Sequence, residues 1–171
     1  MRVISGTARG RSIIAPKGLD TRPITDRAKE AIFNMLDSLG LPAGATVADL
    51  YAGSGSFGIE CLSRGASSVQ FVEKARPAVA AIQANLTRLG FDDGADVRQG
   101  SVLAALPTLG AVDLVFCDPP YVDDPWANLW SQLEAKYVVA HADHRVELGD
   151  RWVEVRRKKY GRSHVVVARI G

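Results

Sequence analysis

Asp49-Leu50-Tyr51-Ala52-Gly53-Ser54-Gly55-Ser56-Phe57-Gly58 sets a GxGxxG spacing between a strand-forming run, Thr46–Tyr51, and a helix-forming stretch, 57–64. Glycines at these positions permit a tight turn and a close backbone approach to a ligand, just before a helix N-terminus. Glu73 closes the next expected strand, Ser68–Glu73, 20 residues beyond Gly53. A carboxylate there can accept hydrogen bonds from both hydroxyls of an adenosyl ribose. NAD and S-adenosylmethionine (SAM) both satisfy that geometry. Asp49 separates them, because a carboxylate at the mouth of the first strand repels a pyrophosphate and suits the cationic methionine end of SAM.

Outward from this loop the chain alternates strand and helix. Ala75–Leu89 reads as a helix ending at Gly90, Asp96–Gln99 as a strand, and residues near 101–105 as a helical turn. The strand Val112–Cys117, a helix near 124–134 and a strand at 136–140 follow. Such alternation means a parallel sheet with helices on both faces. The end differs: Arg151–Arg157 and Ser163–Ile170 are β-rich runs joined by Lys158-Lys159-Tyr160-Gly161-Arg162, which reads as a hairpin. An α/β sheet closing on an antiparallel hairpin predicts a Rossmann-like class I methyltransferase fold with seven strands. Before the first strand, Arg2–Ser5 and Arg11–Ala15 read as a short hairpin turned at Gly6 and Gly10. Pro16, Gly18 and Pro23 mark a loop, and Thr25 or Asp26 caps a helix with apolar positions Ala28, Ile32, Met35, Leu36 and Leu39, stopped by Gly40 and Pro42. The expected division is a basic N-terminal β-hairpin extension, 1–20, and a catalytic domain, 21–171.

Composition agrees with one domain: 171 residues, 47% apolar and 23% charged, enough to bury a full core. Mean hydropathy is near zero, and the longest apolar runs, such as Val165-Val166-Val167-Ala168, fall far short of the roughly 20 residues of a membrane helix. The basic N-terminus lacks the apolar core of a secretory signal. Cys61 and Cys117 form no CxxC pair, which fits a reducing cytoplasm and argues against a metal knuckle. Charge is unevenly spread. Residues 1–30 hold seven Lys/Arg against three acids, residues 145–171 eight against three, and residues 31–144 six against thirteen. Basic ends around an acidic centre fit a polyanion-binding surface beside a site for something small and partly cationic, or else a pair of solvated faces.

The strand Val112–Cys117 runs into Asp118-Pro119-Pro120-Tyr121. Ligands of open α/β sheets bind outside the carboxyl ends of strands, so these four residues are expected beside the cofactor. Two prolines fix φ and remove two N–H donors, leaving a rigid loop with free carbonyls. Transfer to an exocyclic amine needs such a loop. The lone pair of a nucleobase amine is delocalised into its ring, and two acceptors, the Asp118 carboxylate and the Pro119 carbonyl, can bind its N–H bonds and draw the nitrogen toward tetrahedral geometry. Tyr121 can stack on a base taken out of the nucleic-acid fold. Catalysis here is orientation plus polarisation of an amine. Cys117 reads as a small buried strand residue rather than a nucleophile.

Over nearly its whole length the chain resembles the bacterial 16S ribosomal RNA guanine-N2 methyltransferases, the RsmD-like family. Four stretches carry the resemblance: Arg2-Val3-Ile4-Ser5-Gly6 with Arg9-Gly10-Arg11; Thr21 to Arg27 followed by Glu30-Ala31-Ile32-Phe33-Asn34; Asp49 to Gly58 with Val72-Glu73-Lys74; and Asp118 to Tyr121 with Lys159-Tyr160-Gly161. The first two make it specific, since the other motifs recur across many methyltransferases. The resemblance implies SAM-dependent methylation of one guanine amine, of the guanine(966)-N(2) type, in 16S rRNA within small-subunit particles that carry ribosomal proteins. It implies cofactor contacts from Asp49, Tyr51, Gly53, Gly55, Gly58, Glu73, Lys74 and Ser101, and a guanine held by Asp118, Pro119, Pro120 and Tyr121. RNA contacts fall to Arg2, Arg9, Arg11, Arg22, Arg27, Lys158 and Lys159. Ser101 departs from the family pattern, where many class I enzymes place an Asp to meet the adenine amino group.

Other residues read more plainly. His141 and His144 lie three apart in a stretch that reads as a polar loop, without other candidate ligands nearby, and no metal site is expected. Trp126, Trp130 and Trp152 read as core or rim aromatics, while Tyr160 fits either a stacking or a turn-packing role. Arg22 and Arg27 either flank a helix start in solvent or bind phosphate or the cofactor carboxylate. The competing functions are an NAD-dependent oxidoreductase, which leaves Asp118–Tyr121 without a purpose, and a non-catalytic RNA-binding assembly factor. Among methyltransferases, DNA adenine or cytosine and protein glutamine targets are the alternatives.

Overall fold

Thr46–Leu50 (β1) buries every residue after its first, including Asp49, as a strand covered on both faces must. β1 is an interior strand of a seven-stranded sheet whose other strands are Ser68–Glu73 (β2), Ala95–Gln99 (β3), Val112–Cys117 (β4), Ala135–Ala142 (β5), Trp152–Tyr160 (β6) and Ser163–Ile170 (β7). Their spatial order is β3-β2-β1-β4-β5-β7-β6. The first five in that order pair in parallel, and β7 inserts antiparallel between β5 and the edge strand β6. This is the class I methyltransferase arrangement that the alternation and the terminal hairpin predict. The computed structural model describes residues 1–16, 18, 24–120 and 124–171; Arg22, Pro23 and Tyr121, singled out in the sequence, lie outside them.

The helices Asp26–Asp37 (α1), Ser56–Ser63 (α2), Arg76–Leu89 (α3), Val102–Leu109 (α4) and Trp126–Gln132 (α5) cover the sheet. Phe33, Phe57 and Phe116 stack in series, tying α1 and α2 to β4 in one apolar layer. The other layer joins α4 and α5 to the sheet, and Trp126, Trp130 and Trp152 are all buried in it. The Thr25 side chain caps α1 by accepting the Ala28 N–H at 3.2 Å. That helix closes at Asp37 rather than Leu39, because the N–H groups of Leu39 and Leu41 both turn back to the Leu36 carbonyl. Among the described residues no helix is long and apolar enough to cross a membrane.

Three expectations shift. The N-terminal arm doubles back as a hairpin should, with Val3 N–H on Arg11 O and Gly10 N–H on Val3 O, but its strand pairing amounts to one bridge, Arg2 to Ser12. Asn85 of α3 ends it, accepting from Ile14 N–H and donating to Ile14 O, each at 2.9 Å. Secondly, β6 runs on to Tyr160, so Lys158, Lys159 and Tyr160 are strand residues and the turn is Gly161-Arg162. Thirdly, β5 continues two residues beyond 140, because β7 pairs Val165 with His141 and His164 with Ala142. His141 is therefore in the sheet, not in a loop.

Candidate functional site

At the carboxyl end of β1 the backbone turns through Tyr51, the one non-glycine with positive φ (61°) among the described residues, and then through Gly53 (56°) and Gly55 (75°). Gly55 is the N-cap of α2 and its N–H closes on Ala52 O at 2.7 Å. A Cβ built at Gly53 meets nothing within 4 Å, so the loop faces open space there. Gly58 is different. A Cβ there would lie 2.3 Å from the Phe71 ring, so this glycine lets α2 sit against β2 and is no part of an open cradle.

Two carboxylates shape the loop. One oxygen of Glu73 accepts the Gly53 N–H at 2.9 Å and the other accepts the Ala75 N–H at 2.8 Å. Both oxygens are oriented by backbone and each keeps a lone pair for a ligand hydroxyl. Asp49, 1% exposed, accepts the Gly58 N–H at 2.9 Å. Burial pushes its carboxyl well above the usual carboxylate range; the Gly58 N–H opposes this, and the nearby charges of Asp118 and then Glu73 push it further up. Asp49, Glu73 and Asp118 thus gather at the ends of three adjacent strands, and none has a Lys or Arg ion-pair partner among the described residues.

Asp118 leaves β4 with its side chain 24% exposed, and His141 of β5 meets it, Nδ1 to Oδ1 at 2.8 Å. Pro119 is buried and Pro120 exposed. Ser101, at the N-cap of α4, is exposed with no side-chain capping bond, and Lys74 is exposed. Cys61 and Cys117 are both buried, and burial pushes both thiols far from the reactive range.

The arginines and lysines expected to meet RNA fall on separate elements. Arg9 and Arg27 are exposed, Arg2 reaches Asp26 at 3.5 Å, and Arg11 donates to the Arg88 carbonyl at 2.7 Å. Lys158 and Lys159 are exposed on β6. Arg11 is thus partly committed to holding the arm on α3.

Sequence reasoning missed two features. His141 is one, and its only sequence signal is that Val138-Val139-Ala140 continues into His141-Ala142 without a turn residue. The other is a buried network under the arm. Glu60 of α2 accepts from Ile4 N–H, Ser5 N–H and Arg64 Nε, while Lys29 of α1 lies 3.5 Å from it and donates to Arg2 O and Ser56 Oγ.

Comparison with known proteins bears on the family and the fold. The family described as Conserved hypothetical protein 95 matches residues 1–169. YlbH of Bacillus subtilis (strain 168), an rRNA methyltransferase by name, is 36% identical over 98% of this chain and 97% of its own length. Ribosomal RNA small subunit methyltransferase D of Escherichia coli (strain K12) is 34% identical over 71% of this chain and 60% of its own. Among solved structures, yhhF of Escherichia coli, a methyltransferase by name, superposes with a TM-score of 0.86 at 26% identity, over 99% of this chain and 97% of that one.

Proposed function

The chain belongs to the Conserved hypothetical protein 95 family of RsmD-like methyltransferases, and from that premise we propose that it methylates the exocyclic N2 amine of a guanine in small-subunit ribosomal RNA. SAM is the cofactor. The observation that carries this reading is the gathering of Asp49, Glu73 and Asp118 around an open glycine loop with no Lys or Arg ion-pair partner among the described residues. An anionic mouth repels the pyrophosphate of NAD and attracts a sulfonium and an ammonium.

The residues present fit that cofactor. Glu73, oriented by Gly53 and Ala75, would take the ribose hydroxyls; Gly53 and Gly55 would give the backbone approach; Asp49 and Tyr51 would serve the methionine end, and Ser101 and Lys74 the adenine. When bound, SAM supplies a methyl group on a sulfonium sulfur that departs as a neutral thioether. The chain's own residues act on the amine. The Asp118 carboxylate accepts one N–H and the Pro119 carbonyl the other, which localises the nitrogen lone pair. As the nitrogen gains its N–C bond it becomes cationic, and Asp118 takes the proton it sheds. Tyr121, known from sequence alone, stacks on the extruded base. Arg9, Arg27, Lys158 and Lys159, with Arg2, Arg11 and Arg22 in support, meet phosphates, and the substrate is the assembled particle with its ribosomal proteins, of the guanine(966)-N(2) type.

The test is incubation with labelled SAM and small-subunit particles from cells lacking the enzyme, followed by mapping of the labelled nucleotide. Label on guanine N2 is expected. Label confined to protein or DNA, or none, overturns the reading.

A further inference from the structure

The partner of Asp118 carries information that the glycine loop and the Asp-Pro-Pro motif do not. β4 and β5 run in parallel with Cys117 opposite Ala140, so Asp118 and His141 extend the same register at the mouth of the sheet. The His141 side chain is 3% exposed in a strand whose neighbouring residues, Val138, Val139, Ala140 and Ala142, are apolar and buried. A residue kept there only to fill space would be apolar, since burying a polar ring is unfavourable unless its hydrogen bond is needed.

The direction of the hydrogen bond follows from its partner. An ionised carboxylate only accepts, so the hydrogen of the 2.8 Å contact lies on Nδ1. The other ring nitrogen, Nε2, is buried with no hydrogen-bond partner among the described residues. His141 is then a fixed donor, held by β5 and β7, aimed at the carboxylate on which the chemistry rests.

We propose that His141 is a positioning residue for methyl transfer: its Nδ1–H pins one oxygen of Asp118 and leaves the other turned to the target amine. This rests on the reading of Asp118 as acceptor for that amine. A carboxylate on a loop can rotate about two side-chain torsions. One hydrogen bond from a rigid strand removes that freedom before substrate arrives, and loss of alignment at a reacting group lowers the rate by about 10²-fold.

The test is single-turnover methylation of small-subunit particles at saturating SAM, with cofactor and particle affinity measured separately. His141→Leu, similar in bulk and without a donor, lowers the rate by about 10²-fold and leaves both affinities within about twofold. His141→Asn, whose amide nitrogen can stand where Nδ1 stood, returns the rate to within about tenfold of the parent. In an Asp118→Ala background His141→Leu changes the rate no further, because it acts only through Asp118; a general packing defect would persist there. If the leucine variant does not fold, His141→Gln, with its donor one bond further out, takes its place with the same expected loss. A full rate without the donor, no recovery with Asn, or a further loss in the Asp118→Ala background overturns the proposal. Should Asp118→Ala itself keep the full rate, the reading of the site fails first. An inactive Asp118→Ala beside a fully active His141→Leu removes His141 alone.

Discussion

Glu60 of α2 and Asp49 of β1 are both buried carboxylates, 0% and 1% exposed, yet their surroundings differ completely. Glu60 has two backbone N–H donors, the Arg64 guanidinium and the Lys29 ammonium. Asp49 has one backbone N–H and two other carboxylates near it. A buried charge is tolerated when partners replace the lost water, and Glu60 meets that condition inside the protein. Asp49 does not. The carboxylates without a Lys or Arg partner among the described residues lie at the mouth of the sheet, where a cationic ligand can complete them, and the ion-paired one lies beneath the arm, where it joins three chain segments. Local rules of stability are obeyed at the staple and broken at the site.

The largest effect that would break this contrast is at the staple. Glu60→Ala leaves Lys29 buried without its counter-ion and two backbone N–H groups without an acceptor, so it should lower stability by about 3–5 kcal/mol. Denaturant unfolding checks this, and a loss under about 1 kcal/mol would mean the network is ornamental. At the site the effect should fall on ligand affinity instead. Glu73→Ala should weaken SAM by about 1.5–3 kcal/mol by calorimetry, the range for hydrogen bonds to a charged group. An unchanged affinity in the folded variant would remove Glu73 from the cofactor site.

The smallest effect has the opposite sign. The folded-state pKa of Asp49 is raised, so the stability linked to its protonation is complete below the unfolded value of about 3.9 and is lost as pH rises through the folded value. Asp49→Asn keeps an acceptor for the Gly58 N–H and escapes that loss. Its unfolding temperature should therefore match or exceed the parent's at pH 7, with the advantage vanishing near pH 4, while SAM binds more weakly. Thermal melts across that pH range decide, and a variant less stable at pH 7 would place Asp49 with Glu60 among the structural charges.

Much of this contrast was legible in the sequence on the site's side only. The glycine loop, Glu73 and Asp118 belong to local strand-to-loop patterns, and the sheet order follows from alternation plus a terminal hairpin. The staple is not local. Lys29 and Glu60 are far apart in sequence, Glu60 and Ile4 still farther, and no periodicity relates them. His141 was hidden for a related reason: whether β5 stops at 140 or runs to 142 is decided by its partner β7, more than twenty residues later. Gly58 shows the converse. Its place in the GxGxxG spacing points to a ligand, and only the Phe71 ring beside it shows that it serves packing.

The central claim is that the carboxylates at the mouth, none ion-paired to a Lys or Arg among the described residues, exist for chemistry, and Asp118 is where it is most exposed to test. Single-turnover methyl transfer by Asp118→Ala, at saturating SAM and with particle binding measured in parallel, should fall by about 10²–10³-fold, the range for loss of one preorganised group that meets developing charge. Both affinities should stay near those of the parent, and stability should fall by no more than about 1–3 kcal/mol, the cost of leaving the buried His141 Nδ1–H without its acceptor. A variant that folds, binds SAM and particles, and methylates at the parent's rate would contradict the account.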